Sequence, residues 1–505
     1  MSATMVSTIR EIIVNSANEF GSEDAVRYKI KKNEIGTKSY ADLKNDSESF
    51  SCVLEALGEQ GGHVALTGMT SYQWLLTYFG IVNGGSVAVP LDVSLPAEEM
   101  CELIDRADVT TLVIDDIRAD VKAIVKEKCP KLKYLISMQA EESNDNELSL
   151  NKLLEEHRGS CDFQPDPDKL CTIMFTSGTT GKSKGVMLTQ INLAENATCL
   201  DMHIPPRTVI LSVLPIHHAY CLSMDILKAL SLGSIICIND SLLRVVKNIK
   251  LFKPNMILMV PLMIETIAKK LEDGPKLPAA IIKSQVFGKQ FHTICSGGAY
   301  LNPAYLDLFK KFDITILQGY GMTECSPVIS TNLFEKIKRD SVGHIMPNCE
   351  AKVVDEEIWV RGSSVMMGYY KMPEETKETL VDGWLRTGDL GYVDDDGYLF
   401  LTGRKKNLII TKNGENVSPE EIENRLSENR LVQEVLVRES EGVIAAEIFP
   451  DYEYAKKKKI RDLQAELQKI IDEYNLTVPL YKKIFRLVVR ETEFEKTPSK
   501  KIKRY

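Results

Sequence analysis

The sequence predicts an α/β protein: a large N-terminal domain of βα-layered sheets with a β subdomain, followed by a small α+β unit. Short β-type runs alternate with helical patterns from Val64 to Gln318, the β-type runs crowd together from Glu350, and a fresh helix start follows Arg404. At 505 residues the chain is also too long for one ordinary core, so two or more domains are expected.

The alternation opens with Val64-Ala65-Leu66 as a strand, Ser71 to Val82 as a helix stopped by Gly84-Gly85, and Val87-Ala88-Val89 as the next strand. Pro96 to Arg106 reads as a helix with proline in its first turn, where a missing N–H costs nothing. Thr111 to Ile114 is strand-like, as are Val209 to Leu214, Ser234 to Ile238, Met256 to Val260, His292 to Cys295 and Thr315 to Gln318. Short connections between such units imply parallel strands covered by helices. Lys352 to Val354, Ile358 to Val360, Tyr398 to Leu401 and Leu408 to Thr411 instead suggest hairpins. Ser418-Pro419-Glu420-Glu421 combines an N-cap serine, a first-turn proline and a glutamate three residues past the cap. Strands at Val435 to Arg438, Val443 to Ile448 and Phe485 to Val489, with an amphipathic helix from Ile460 to Tyr474, complete the last unit. Texture alone sets a boundary near residues 403 to 407, dividing the chain into 1–404 and 405–505.

Composition narrows the functional classes. A net charge of −9 gives no general case for nucleic-acid binding, and the basic run Lys456 to Lys459 reads as a solvated face. Eleven scattered cysteines without a C-x-x-C pair argue against a disulfide framework or thiolate zinc site. Only His217 and His218 are neighbours among seven histidines, and no H-E-x-x-H occurs. Ile12-Ile13-Val14 is too short for a signal peptide, and Met256 to Ile264 is half a membrane span broken by Pro261. A cytoplasmic protein without a transmembrane segment is therefore expected, with peripheral membrane contact and oligomeric state left open.

The strand-like run Thr172-Ile173-Met174-Phe175 leads into Thr176-Ser177-Gly178-Thr179-Thr180-Gly181-Lys182-Ser183-Lys184-Gly185. Glycines let backbone N–H groups approach phosphate oxygens, hydroxyls add donors, and Lys182 and Lys184 add charge. A Walker A loop needs a glycine where Thr176 stands, and a dinucleotide G-x-G-x-x-G lacks its third glycine. A polyphosphate cradle of another kind is left, against the ordinary alternative of a Ser/Thr/Gly surface loop.

This loop resembles the T-S-G-T-T-G-x-x-K-G signature of the adenylate-forming superfamily of acyl-CoA synthetases, luciferases and adenylation domains. Further motifs of that family follow in order: Leu214-Pro215-Ile216-His217-His218, Ser296-Gly297-Gly298-Ala299, and Gln318-Gly319-Tyr320-Gly321-Met322-Thr323-Glu324. Gly383-Trp384-Leu385-Arg386-Thr387-Gly388-Asp389, Gly403-Arg404-Lys405-Lys406-Asn407 and the tail Lys496 to Arg504 complete the set. The resemblance implies adenylation of a carboxylic acid by ATP with Mg²⁺, then transfer to a thiol. It implies that Thr176, Ser177, Gly178, Thr179, Thr180, Gly181 and Lys184 cradle phosphates, and that Glu324 holds the metal with help from Thr176. Gly298, Tyr320 and Gly321 would border the nucleotide, Tyr320 offering its ring to adenine; Thr323 would donate to the α-phosphate, Asp389 would accept the ribose hydroxyls, and Arg404 would contact the nucleotide. Lys501 would be the catalytic lysine of T-x-S-G-K-I-x-R, although Lys500 stands where that pattern has glycine and is the neighbouring candidate. Lys406 would be the hinge of a mobile C-terminal domain, and Gly414 would border the thiol tunnel in its second orientation.

His218 falls where the family has a catalytic histidine or aromatic residue beside the substrate carboxylate, and no aspartate there favours an amino acid. Gly368 to Thr376 and Phe494 to Thr497 most resemble bacterial long-chain acyl-CoA ligases, which implies a medium- or long-chain fatty acid. Aryl and short acids stay open. Coenzyme A is the implied acceptor; the thiol of an acyl carrier protein is the alternative.

Overall fold

The computed structural model describes residues 4–31, 34–176, 183–274, 277–411, 414–496 and 502–504. Among them, a large N-terminal domain of sheets and helices carries a smaller C-terminal domain. Two big sheets dominate the first. In one, six parallel strands lie in the spatial order Thr315–Gly321, Thr293–Ser296, Met256–Met259, Val209–Ser212, Ile235–Ile238 and Asp24–Lys31. In the other, the parallel centre runs Leu170–Thr176, Val87–Leu91, His63–Thr67, Val109–Ile114, Tyr134–Ser137 and Leu148–Ser149. Antiparallel strands flank both centres, a common arrangement for large mixed sheets.

The parallel strands are buried along nearly their whole length, and their β-branched and leucine side chains fill one large apolar core shared by the sheets and the helices around them. A smaller cluster packs on the far face of the second sheet around Ile104, Leu112 and Val125. The N-terminal segment holds more structure than its short apolar run suggests: Ile9–Phe20 is a helix closed by a Thr8–Glu11 capping box, and Asp24–Lys31 pairs with Glu34–Ser39. Pro96 sits at the cap of the helix Ala97–Arg106 rather than in its first turn. The apolar stretch from Met256 divides into a strand and a helix, with Pro261 as the first residue of Pro261–Asp273.

From Cys349 the chain forms a five-stranded antiparallel sheet that includes Glu357–Gly362, Trp384–Val393 and Leu399–Arg404. The C-terminal unit has its own apolar cluster, from Ile409 to Ile484, between the sheet of Val432–Ser440, Val443–Pro450 and Arg486–Val489 and the helices Pro419–Ser427 and Leu463–Leu476. Ser418 caps the first of these helices and also donates to the Thr402 carbonyl at 2.7 Å, tying the unit to the preceding strand. Across the two domains, Arg430 and Lys457 pair with Asp273 at 3.4 and 2.6 Å. No helix among the described residues is long and apolar enough to cross a membrane.

Candidate active site

In open α/β sheets, ligands bind beyond the carboxyl ends of the strands, where the strand order reverses. Here the chain leaves Val209–Ser212 for Ile235–Ile238 on one side and then returns to Met256–Met259 on the other. At that reversal opens a cavity of about 1100 Å³. It takes walls from the ends of four parallel strands: Thr176, His218 (six residues past Ser212), Gly298 and the run Tyr320 to Glu324.

Sheet register sets most of the polar geometry. Thr176 pairs with Lys184 across an antiparallel hairpin, so the glycine-rich segment joins two strands instead of a strand and a helix. That topology separates it from a P-loop. Ser177, Gly178, Thr179, Thr180 and Gly181 lie outside the described residues. Tyr369, two strands away, stands between the loop and the metal candidate: the Lys184 ammonium lies 4.5 Å from its ring centre, and its hydroxyl donates to Glu324 Oε1 at 2.9 Å. Its own proton is held tightly, by burial and by the Glu324 charge.

Register also places Asp389 opposite Arg404. Asp389 Oδ1 accepts from Arg404 Nε at 2.9 Å, and Oδ2 accepts from the buried Tyr320 hydroxyl at 2.7 Å. Asp389 is itself buried inside the strand Trp384–Val393, not in a turn. Each oxygen keeps a second lone pair for another donor. Gly321 is needed for a reason besides ligand access, since a Cβ there would lie 1.9 Å from the Pro327 carbonyl oxygen. Gly298 adopts φ +88°, a left-handed turn over the cavity. Thr323 opens the short helical turn that carries Glu324.

The His217 and His218 rings lie with centres 4.2 Å apart, tilted by 53°. Burial first and the neighbouring His218 second lower the His217 pKa, Asp92 at 3.7 Å opposes both, and the outcome is about 4. Burial wins, so the Asp92 contact is not an ion pair near neutral pH. The His218 ring is accessible, but onto the cavity, and the surrounding protein also lowers its pKa. Both imidazoles are therefore neutral near pH 7, each able to donate one N–H.

A profile of the AMP-binding enzyme family matches residues 13–370, and one for the C-terminal domain of AMP-binding enzymes matches 406–505. The chain belongs to the AMP-binding enzyme family. The long-chain-fatty-acid–CoA ligase FadD15 of Mycobacterium bovis is 26% identical over 92% of this chain and 89% of its own length. The crystal structure of the anthranilate CoA ligase AuaEII with anthranoyl-AMP superposes with a TM-score of 0.84 at 20% identity, over 99% of this chain and 97% of that one. ATP-bound MatB from Rhodopseudomonas palustris gives 0.80 at 25%, over 98% and 96%.

Several residues of this AMP-binding enzyme lie apart from the cavity or beyond description. Lys501 and Lys500 are outside the described residues. On either side of them Lys496 and Ile502 form an antiparallel bridge, and Arg504 donates to Glu423 at 2.9 Å. Lys406 sits in the short turn Lys405–Asn407, where burial first and Arg404 second lower its pKa. Gly414 lies in the hairpin between Ile409–Ile410 and Asn416–Val417, away from the cavity wall.

Two further site residues carry no functional motif of their own: Tyr369, in the stretch Gly368-Tyr369-Tyr370 that marks only kinship, and Glu357. Glu357 is a buried cavity residue that accepts from the Gly388 N–H at 3.1 Å and from Lys405 at 2.9 Å. Burial would raise the Glu357 pKa, but these donors hold it below the usual value. No local motif marks Glu357; only the strand pairing brings it beneath Gly388.

The donor set at Glu324 suits a hard cation. Among the described residues no three His, Cys, Asp or Glu side chains converge on one point. Glu324 has one oxygen engaged by Tyr369 and lines the cavity that Thr176 also lines. One carboxylate completed by substrate phosphates and water is a donor set that Mg²⁺ favours.

Proposed function

We propose that this enzyme activates a medium- or long-chain fatty acid with ATP as the acyl-adenylate, releasing pyrophosphate, and then transfers the acyl group to coenzyme A. The carrying observation is one cavity with two chemically distinct ends. Tyr369, Glu324 and Lys184, and Tyr320 with Arg404, form a contiguous polar lining, while Met202, Ile204, Met256 and Met263 supply an apolar one that we assign to the acid. Sites for one drug-sized ligand span about 300–1,000 Å³, so about 1100 Å³ leaves room for a nucleotide and an acyl chain together. The FadD15 relative supports a fatty acid, and ATP-bound MatB supports the nucleotide.

In this reading residues 1–404 bind the substrates and residues 405–505 form a lid that turns about Lys406. Thr176 and Lys184, with the loop between them, hold the β- and γ-phosphates. Asp389 takes the ribose hydroxyls, already fixed in place by Tyr320 and Arg404. Glu324, with Thr176, would hold Mg²⁺, which when bound neutralises charge on the phosphates. Neutral His218 donates to the acid's carboxyl group and orients one oxygen toward the α-phosphorus, and Thr323 donates to the α-phosphate. Attack of that oxygen forms the acyl–phosphate bond as the bond to pyrophosphate breaks. Lys501 supplies positive charge to the reacting oxygens in this first step. Gly414 borders the coenzyme A thiol after the lid turns.

ATP–pyrophosphate exchange over fatty and aryl acids tests the reading. Lys501→Ala should lower exchange at least ~100-fold, the scale of removing one positioned donor from developing charge. The same variant should still convert preformed acyl-adenylate to thioester. Full exchange by the variant, or no exchange by the wild type with any fatty acid, would overturn it.

A further inference from the structure

One wall of the acid end carries a charge that an alkyl chain cannot use. The segment after His218 runs as a wide π-helical stretch, Cys221–Leu227, into the turn Lys228–Ser231. Single π segments often mark functional sites. Tyr220, Met224 and Lys228 from this segment all line the cavity, so it is a ruler along the acid's path from His218 outward. Lys228 is almost fully buried, among Leu200, Met202, Ala229 and Leu232.

Its ammonium has three donors, of which one goes to the Leu200 carbonyl. Among the described residues no carboxylate lies within the 4.0 Å of an ion pair with it. Among the described residues the charge that favours it is Asp201, already engaged by the His203 backbone N–H at 2.7 Å, while the nearby Cys199 thiol, its pKa pushed up to about 11 by burial, is neutral. Burial outweighs that charge and brings the Lys228 pKa down to about 8. A buried cation with unused donors is costly, and in a cavity wall a water or an oxygen of the bound substrate can complete it.

We propose that Lys228 is a specificity-determining residue that receives a hydrogen-bond-accepting oxygen at the far end of the acid, so that the preferred substrate is an ω-oxygenated acid rather than a plain alkyl one. This rests on the acid-activating reading above and refines its substrate class. At ~1.5 Å rise per residue, Lys228 lies at most about 15 Å from His218 along the helix. An extended chain advances roughly 1.2 Å per bond, a third of the ~3.6 Å spanned by one residue. The distal oxygen therefore belongs no more than about twelve bonds from the reacting carboxyl, a reach that decanedioic and 10-hydroxydecanoic acids fall within.

Pyrophosphate release with decanoic, 10-hydroxydecanoic and decanedioic acids tests this on the full-length enzyme. The wild type should prefer at least one oxygenated acid over decanoic acid by tenfold or more in kcat/KM, chiefly through KM. The two oxygenated arms tell a neutral acceptor from an anionic one. In Lys228→Met that preference should fall at least tenfold, and Lys228→Arg should retain part of it. Equal use of the three acids, or a preference for decanoic acid, by the wild type would overturn the proposal without any variant. An unchanged ratio in Lys228→Met would overturn it as well. Failure of the ligase reading itself would look different, as no pyrophosphate release with any acid.

Discussion

The two ends of the cavity are built on opposite principles. At the nucleotide end, polar side chains are tied to one another: Tyr320 and Arg404 to Asp389, Tyr369 to Glu324, Lys405 and the Gly388 N–H to Glu357. At the acid end His217 Nε2 in the wall, and Asp225 Oδ1 and Ser296 Oγ buried outside the lining, are left without partners, while Arg386 Nε is the exception at the nucleotide end. Burial, against hydrogen bonds from Ser212 and Cys221, pushes the Asp225 carboxyl up to about 7. Closed hydrogen bonding preorganises one end for a ligand of fixed shape, since nothing must reorganise when charge develops. Open polar atoms in the other end carry a standing cost that only a ligand, a water or a change of protonation relieves.

Breaking the closed end should give the largest effect. Asp389→Ala leaves the buried Tyr320 hydroxyl and Arg404 without their acceptor. Unpaired buried groups cost about 1–3 kcal/mol, and a lost hydrogen bond to a charged group is worth about 1.5–3 kcal/mol. The expected outcome is a KM for ATP raised roughly 10- to 100-fold on that scale. Steady-state kinetics with varied ATP checks it; an unchanged KM would mean that Asp389 serves the fold and not the nucleotide.

The same contrast explains what could be read from sequence. Alternating strands and helices were legible because buried parallel strands need continuous apolar runs, and Ser418 announced its helix through cap chemistry. Thr176, Tyr320, Glu324, Asp389 and Arg404 sit at strand ends or in paired strands, so their motifs keep fixed spacing; the structure brings four of them to one cavity wall and buries Asp389 just behind Tyr320 and Arg404. Glu357 and Tyr369 escaped notice because strand pairing, not local spacing, delivers them to the site. Lys228 and Asp225 escaped for a further reason. A charged residue every few positions in a helix looks like a solvated face, and only tertiary packing shows that this face is buried.

The acid end offers a pH-dependent test. His217 has its pKa lowered from the ordinary 6.5 to about 4, chiefly by burial. Between these values the unfolded chain binds the proton and the folded chain does not, so stability is full above about pH 6.5 and falls as the pH drops toward 4. Between pH 7 and 5 the loss from this one group should be on the order of 2 kcal/mol, at ~1.4 kcal/mol per pKa unit. Urea unfolding at both pH values checks it. His217→Phe should lose about that much less stability over the interval, and an identical pH dependence in both proteins would show that the ring is not held neutral.

The smallest effect should come from loosening one tie at the nucleotide end. Tyr369 does two things there, donating its hydroxyl to Glu324 and presenting its ring to Lys184. Tyr369→Phe removes only the first. Glu324 is partly accessible from the cavity, so water can replace the lost donor, and the net cost should be near the ~1 kcal/mol of an ordinary hydrogen bond. That corresponds to roughly a fivefold loss in kcat/KM for ATP. Tyr369→Ala also removes the ring, whose attraction for an ammonium adds about 0.5–2 kcal/mol, and should cost several-fold more. Kinetics on the two variants separate the contributions. Equal losses in both would assign the residue's whole effect to the Glu324 hydrogen bond, and no loss in Tyr369→Phe would assign it to the ring beneath Lys184.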